Sequence, residues 1–177
     1  MNRVAKFYKV GFEQYMKDYG DTFLGKTSNL TVDEIKEIKR VYDRIMLPRR
    51  ATTGSAGYDF YTPVDIVLEP GQTAKVPTGI RVSMEPDWVL SLYPRSGLGF
   101  KYRLQLNNTV GIIDSDYFFS DNEGHIFAKI TNDTNENKTV NLKTGDGFMQ
   151  GIFLQYGITI DDNETGVRNG GFGSTGA

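Results

Sequence analysis

Two carboxylates in the middle of the chain are the residues best suited to acid–base chemistry. Asp114 and Asp116 follow the apolar run Val110–Ile113. Side chains two apart on a strand point to the same side, although a turn at this place would break that relation. A carboxylate beside apolar surface is a plausible base for activating a water molecule. An ordinary turn explains the two residues equally well.

Two further segments offer groups that bind phosphate. The sequence PRSGLG at Pro94–Gly99 follows the apolar run Trp88–Tyr93 and supplies a guanidinium, a hydroxyl and approachable backbone N–H groups. The segment Gly145–Gln150 adds the amide of Gln150 before another apolar stretch. Taken alone, the first is better interpreted as a surface turn and the second as a turn that leads into a strand.

The tail Arg168–Ala177 reads RNGGFGSTGA and has Phe172 as its only large apolar side chain. Such a segment cannot form a core of its own, so we expect it to be mobile when nothing is bound. Its aromatic ring could stack on a nucleobase, which contributes on the order of 1–3 kcal/mol per base. The hydroxyls of Ser174 and Thr175 could bind phosphate.

A helical pattern precedes these segments. Within residues 1–47, Thr31 and Glu34 form a capping-box pattern. A run of apolar residues then recurs at helical spacing: Ile35, Ile38, Tyr42 and Ile45. A weaker helix is expected over Phe12–Tyr19. We interpret the region as a helical insertion on the surface.

From Pro48 onward, Gly, Pro, Asn and Asp separate short runs of β-forming residues. Many short strands at this spacing predict a sandwich or barrel, and strands do not alternate with helices as they do in a Rossmann sheet. The predicted strands are Asp65–Leu68, Thr73–Val76, Gly79–Ser83, Trp88–Tyr93, Leu104–Asn107, Ile126–Thr131, Thr139–Leu142 and Met149–Gln155.

Composition narrows the function. The net charge of -2 lacks the basic excess of a protein that binds nucleic acid. The absence of Cys excludes thiol chemistry, and the single His, His125, excludes a multi-His metal site within one chain. His125 lies in a polar stretch and is expected to be exposed. Without an apolar run near the ~20 residues of a membrane span, we expect a cytoplasmic protein, in the host cytoplasm if it is viral.

The order of the segments is more specific than any one of them. ATTGSAGYDF at residues 51–60 is followed by PRSGLG, GIIDSDY, GDGFMQ and RNGGFGSTG. This series resembles the five motifs of the trimeric dUTPase family across residues 48–177. The resemblance implies an all-β, jelly-roll-like subunit in a homotrimer with shared active sites. It divides the chain into an N-terminal segment (1–47), a β domain (48–167) and a flexible arm (168–177) that closes over the site.

The resemblance also implies how dUTP becomes dUMP and pyrophosphate. Asp114 matches the general base that directs a water at the α-phosphorus. Asn108 and the backbone to Gly111 match a β-hairpin that reads uracil, and Tyr117 matches the residue that packs against deoxyribose. The residues that match phosphate contacts in the β domain are Arg95, Ser96, Gly97 and Gln150. From the arm, Arg168, Phe172, Ser174 and Thr175 match contacts to phosphates and uracil.

The resemblance implies Mg²⁺ as cofactor, held mainly by the substrate phosphates and reached by Asp59 through water. Three features depart from the family pattern. Gly147 stands where the fourth motif usually has Arg, and Arg168 is one residue nearer to Phe172 than usual. The segment Phe118–Gly124 replaces a shorter Gly-containing turn and adds about four residues by rough alignment.

Two alternatives remain open. A dCTP deaminase of the same architecture needs a Glu near the base, and the stretch around Asp114 and Tyr117 contains none. A protein of this fold could instead act as a regulator through protein contacts. The additional helix and the 118–124 loop are the surfaces that would bind such a regulatory partner.

Overall fold

The β-forming runs become short strands, as the sequence predicts. In this computed structural model, which describes residues 2–170, eleven strands and three α-helices are present. The strands are β1 (Ala5–Lys9), β2 (Tyr58–Tyr61), β3 (Ile66–Leu68), β4 (Thr73–Pro77), β5 (Ile80–Met84), β6 (Trp88–Pro94), β7 (Leu104–Leu106), β8 (Gly111–Ile113), β9 (Phe127–Asn132), β10 (Val140–Leu142) and β11 (Gly147–Gln155). The helices are α1 (Phe12–Tyr19), α2 (Val32–Arg44) and α3 (Ser96–Tyr102).

The strands form small sheets, and every strand pairing among the described residues is antiparallel. The largest sheet has the order β2-β11-β6-β8, and a second has the order β4-β9-β7. Two-stranded pairs β1-β5 and β3-β10 complete the set. This arrangement confirms the all-β prediction.

The core follows from alternation along the strands. In β3, β7, β8 and β10 the outer two residues are buried and the middle one is exposed, as expected for strands with one face on the core. The central strands β6 and β11 supply fully buried side chains, among them Leu90, Phe148 and Met149. Burying one such side chain stabilises the fold by about 1.5–3 kcal/mol.

The N-terminal segment is built into this core. Thr31 and Glu34 form the predicted capping box at the start of α2, and α1 spans the predicted residues. Tyr15 and Ile38 from these helices are fully buried in the same hydrophobic cluster as the strands. The sequence did not predict β1, which pairs with β5 along its whole length. Among residues 2–170, no helix combines the length and apolar character needed to span a bilayer.

Candidate active site

The Arg95 region begins where β6 ends. Arg95 occupies the N-cap position of α3 without a side-chain capping bond, so the PRSGLG segment is a helix start and the prediction of a simple surface turn is wrong. Glycines at 97 and 99 leave open space around the backbone, because a Cβ at either position would meet nothing within 4 Å. The first N–H groups of a helix have no partner within the helix, and those of Ser96 and Gly97 are in this position.

Strand pairing brings two more predicted residues beside this helix, Asp59 and Gln150. Asp59 of β2 lies opposite Gln150 of β11 in the antiparallel register. The Asp59 carboxylate forms an ion pair with Arg95, with Oδ1 3.2 Å from Nε. Gln150 donates from Nε2 to the carbonyl of Pro94 at 3.3 Å. Together these residues border an open cavity of about 460 Å³. We call Asp59, Arg95, Ser96, Gly97 and Gln150 the Arg95 cluster.

Gly147 leaves room for the Arg95 side chain. A Cβ added at Gly147 would lie 2.6 Å from Nη1 of Arg95, and this guanidinium donates to the carbonyl of Gly147 at 3.2 Å. The position where the family usually has Arg is therefore occupied by a guanidinium that comes from residue 95.

Asp114 lies at the end of β8 and caps the following 3₁₀ helix, Ser115–Phe119. Its side chain is 45% exposed and receives Nη2 of Arg168 at 2.5 Å. Nε of the same guanidinium lies 2.9 Å from Asp116. The two carboxylates thus share one cation, which the Asp-x-Asp spacing alone did not predict. We call Asp114, Asp116, Tyr117 and Arg168 the Asp114 cluster.

Tyr117 lies on the inner side of this 3₁₀ helix and is 5% exposed. Its hydroxyl donates to the carbonyl of His125 at 2.8 Å and accepts from Nδ2 of Asn122 at 2.8 Å. Burial raises the pKa of the hydroxyl, so it remains protonated at neutral pH. The Arg168 guanidinium carbon lies 5.9 Å from the centre of the ring.

The segment predicted to read uracil connects two sheets. Asn108 and Thr109 lie in the turn between β7 and β8, where Thr109 has a φ of 65°. The prediction of a β-hairpin is wrong within the described residues, because β7 pairs with β9 whereas β8 pairs with β6. Gly111 is buried, and a Cβ there would lie 3.0 Å from Cβ of Leu92.

Strand register separates the two clusters within one chain. Ile113 pairs with Leu90, so Asp114 follows at the Trp88 end of β6, whereas Arg95 continues from the opposite end. Six residues of strand span about 20 Å. Within one chain, the candidate general base Asp114 and the candidate phosphate-binding residues of the Arg95 cluster therefore lie toward opposite ends of β6.

His125 is a correction to the sequence analysis. It is fully buried rather than exposed, with Nδ1 2.6 Å from Oδ2 of Asp18 and Nε2 accepting from the N–H of Gly79 at 2.8 Å. Burial lowers the pKa of the imidazole, and the nearby Asp18 carboxylate opposes that effect. No local sequence signal marks this contact, because Asp18 is 107 positions away.

No cluster of three or more His, Cys, Asp or Glu residues that could hold a metal is present in residues 2–170. Asp59 is the carboxylate of the Arg95 cluster, and oxygen ligands of this kind suit Mg²⁺. The predicted contacts Phe172, Ser174 and Thr175 lie outside the described residues.

Comparison with known proteins identifies the family of this chain. The dUTPase family model matches residues 43–176. A deoxyuridine 5'-triphosphate nucleotidohydrolase from Lactococcus lactis is 40% identical over 136 residues, which cover 75% of this chain and 89% of that protein. One from Idiomarina loihiensis is 37% identical over 156 residues, covering 83% of this chain and 99% of that protein.

Solved structures give the same result. The crystal structure of dUTPase from Streptococcus mutans has a TM-score of 0.58 and 39% identity, covering 68% of this chain and 91% of that one. A dUTPase mutant from phage phi11 of S. aureus, described as coordinating a structural Mg(II) ion, shares the fold with a TM-score of 0.56 at 22% identity. The match covers 70% of this chain and 92% of the phage protein's chain. The chain belongs to the dUTPase family.

Proposed function

We propose that this enzyme hydrolyses dUTP to dUMP and pyrophosphate, with Asp114 as the general base for a water that attacks the α-phosphorus. One observation carries the proposal: the family motif GIIDSDY places Asp114 at a strand end with its carboxylate half-exposed. The buried Ile113 precedes it, so the carboxylate lies between apolar core and solvent, where it can orient a water.

The register of β6 and β8 supports a site shared between copies of the chain. Because Asp114 and Arg95 lie about 20 Å apart along one strand, a single triphosphate cannot contact both within one subunit. A second copy brings its Arg95 cluster beside the first copy's Asp114 cluster. We therefore propose a homotrimer in which each site takes the base from one subunit and the phosphate contacts from another.

The Arg95 cluster fits Mg²⁺ held mainly by the substrate. The carboxylate of this cluster, Asp59, already forms an ion pair with Arg95. A contact to Mg²⁺ through water therefore suits Asp59 better than direct coordination by several protein carboxylates. When bound, Mg²⁺ would neutralise part of the triphosphate charge. Arg95 and the N–H groups of Ser96 and Gly97 would hold the phosphate oxygens, and Gln150 would orient them.

Arg168 must change partners for Asp114 to act. In this structure its guanidinium is bound to Asp114 and Asp116, so Oδ2 of Asp114 already has a hydrogen-bond partner. A triphosphate offers Arg168 a stronger partner than two exposed carboxylates. Binding of substrate would therefore draw Arg168 to the phosphates and release Asp114.

The test is pyrophosphate release from dUTP, dTTP, dCTP and UTP, measured side by side with and without Mg²⁺. We expect turnover of dUTP alone and a large loss when Mg²⁺ is removed. We expect thymine to be rejected, as the family resemblance of the Asn108–Gly111 segment implies. Deamination of dCTP would support the alternative enzyme, and no reaction with dUTP would contradict the proposal.

A regulatory protein partner remains a second proposal. In the 118–124 loop, Phe119 is 80% exposed, and α2 presents a charged outer face. Reversing the exposed charges of α2 with Lys36→Glu and Lys39→Glu without any effect on partner capture would count against a role for α2.

A further inference from the structure

Two parts of this chain stand outside the family pattern. The family model begins at residue 43, so residues 1–42 lie outside its match. The loop Phe118–Gly124 is enlarged and follows Tyr117 directly. In the structure these two parts contact each other, although more than a hundred residues separate them in sequence.

The exposed part of this contact centres on Glu123. The N–H of Gly11, which precedes α1, donates to Oε2 of Glu123 at 2.7 Å. Arg81 of β5 lies 3.5 Å from the same carboxylate and donates to the carbonyl of Phe118 at 2.6 Å. Its guanidinium also covers the Phe118 ring, 3.7 Å from the ring centre. The loop is thus held by β5 and by the start of α1.

The buried part is the pair formed by Asp18 of α1 and His125. Because the N–H of Gly79 donates to Nε2, that nitrogen must carry the lone pair, and the neutral ring has its proton on Nδ1. Nδ1 therefore donates to Asp18. Asp18 is itself fixed by Nε2 of Gln14 at 2.8 Å. A buried hydrogen-bond chain of this kind holds its members in one geometry.

The pair leads to the active site through Tyr117. The carbonyl of His125 accepts the Tyr117 hydroxyl, and the N–H of Tyr117 donates to the carbonyl of Asp114 at 3.2 Å. The backbone carbonyl of His125 therefore holds the Tyr117 hydroxyl, and Asp18 holds the imidazole of His125.

We propose that Asp18 and Glu123 are positioning residues, through which the N-terminal segment fixes Tyr117 and so sets selection for the 2'-deoxyribose of the substrate. The inference rests on the proposed function, because it takes Tyr117 as the residue that faces the sugar. The N-terminal segment then acts within its own chain, on the sugar end of the site, while the phosphate end does not depend on it.

Steady-state kinetics of the full chain with dUTP and UTP tests the proposal, using Asp18→Ala, Asp18→Asn and Glu123→Ala. The matched control is Asp21→Ala, which removes a carboxylate of the same segment that pairs with Lys75 and not with the loop. A displaced substrate-contacting side chain can weaken binding about tenfold. We expect Asp18→Ala to raise KM for dUTP by about that factor, with a smaller change in kcat.

The selectivity for dUTP over UTP is the measurement that a merely structural role would not change. The dUTP-to-UTP ratio of kcat/KM should fall in Asp18→Ala and in Glu123→Ala, recover in Asp18→Asn, which keeps an acceptor, and stay at its original value in Asp21→Ala. Glu123 lies at the surface, so its variant tests the proposal even if Asp18→Ala does not fold. Unchanged KM and selectivity in folded Glu123→Ala and Asp18→Ala would overturn it.

Amide hydrogen exchange separates this inference from the proposed function. Exchange across residues 117–125 should become faster in Asp18→Ala than in Asp21→Ala, whatever reaction the enzyme catalyses. Equal exchange in the two variants would overturn the positioning role. Failure of the original chain to hydrolyse dUTP would instead contradict the proposed function.

Discussion

The Arg95 cluster and the Asp114 cluster are held in place in different ways. Arg95 directly follows β6, Gln150 belongs to the neighbouring strand β11, and Asp59 on β2 lies opposite Gln150. The Asp114 cluster instead depends on residues far along the chain, with Arg168 in front of it and Asp18 behind it. The first cluster is a product of sheet register, and the second needs support from outside the sheet.

The largest expected effect comes from the second cluster. Asp114→Asn keeps the shape of the side chain and removes its ability to accept a proton. We expect kcat to fall by about 10²–10⁴-fold, the range typical for a lost general base. Binding of a non-hydrolysable dUTP analogue, measured by calorimetry, should change little. A variant with near-normal kcat would show that another group activates the water.

A smaller effect is expected from crowding the first cluster. Gly147→Ala places a methyl group 2.6 Å from Nη1 of Arg95, so the guanidinium must shift from its present position beside Asp59. We expect KM to rise roughly fivefold through a weakened charge-assisted contact, with the fold intact. Gly54→Ala is the control, since a Cβ there meets nothing within 4 Å. Equal kinetics for the two variants would mean that Arg95 does not need this space.

The residues of both clusters could be predicted from motifs, but the contacts that support the Asp114 cluster could not. Asp59, Arg95 and Gln150 each stand in a short motif, and pairing of adjacent strands brings them together. The burial of His125 was not predictable, because its polar neighbours in Asp121–Gly124 indicate a loop and its partner Asp18 lies on a distant helix. Strand β1 was missed for the same reason: its exposed and half-buried residues gain their pairing only from β5.

The smallest expected effect concerns pH. The buried His125 has a lowered pKa despite the carboxylates of Asp18 and Glu123, with Lys75 acting in the same direction as burial. Below about pH 6.5, the unfolded chain therefore takes up a proton that the folded chain does not. The free energy of unfolding should fall as pH falls from this value, until the pH reaches the folded-state pKa of His125.

Urea unfolding between pH 5 and 7.5, at fixed protein concentration, measures this slope, which cannot exceed about 1.4 kcal/mol per pH unit for one group. His125→Gln should flatten it, since the amide does not titrate. An identical slope in both proteins would show that other groups produce the pH dependence. Gly147→Ala should keep the original slope, because the Arg95 cluster is not coupled to His125.

The claim that the two clusters meet only between subunits is tested most directly by mixing two inactive variants. Asp114→Asn and Arg95→Ala are unfolded together in equal amounts, refolded and assayed for pyrophosphate release from dUTP. Random assortment gives about a quarter of the sites an intact Asp114 from one subunit and an intact Arg95 from its neighbour. We predict about that fraction of the original activity. Activity no higher than that of the separate variants would contradict a shared site.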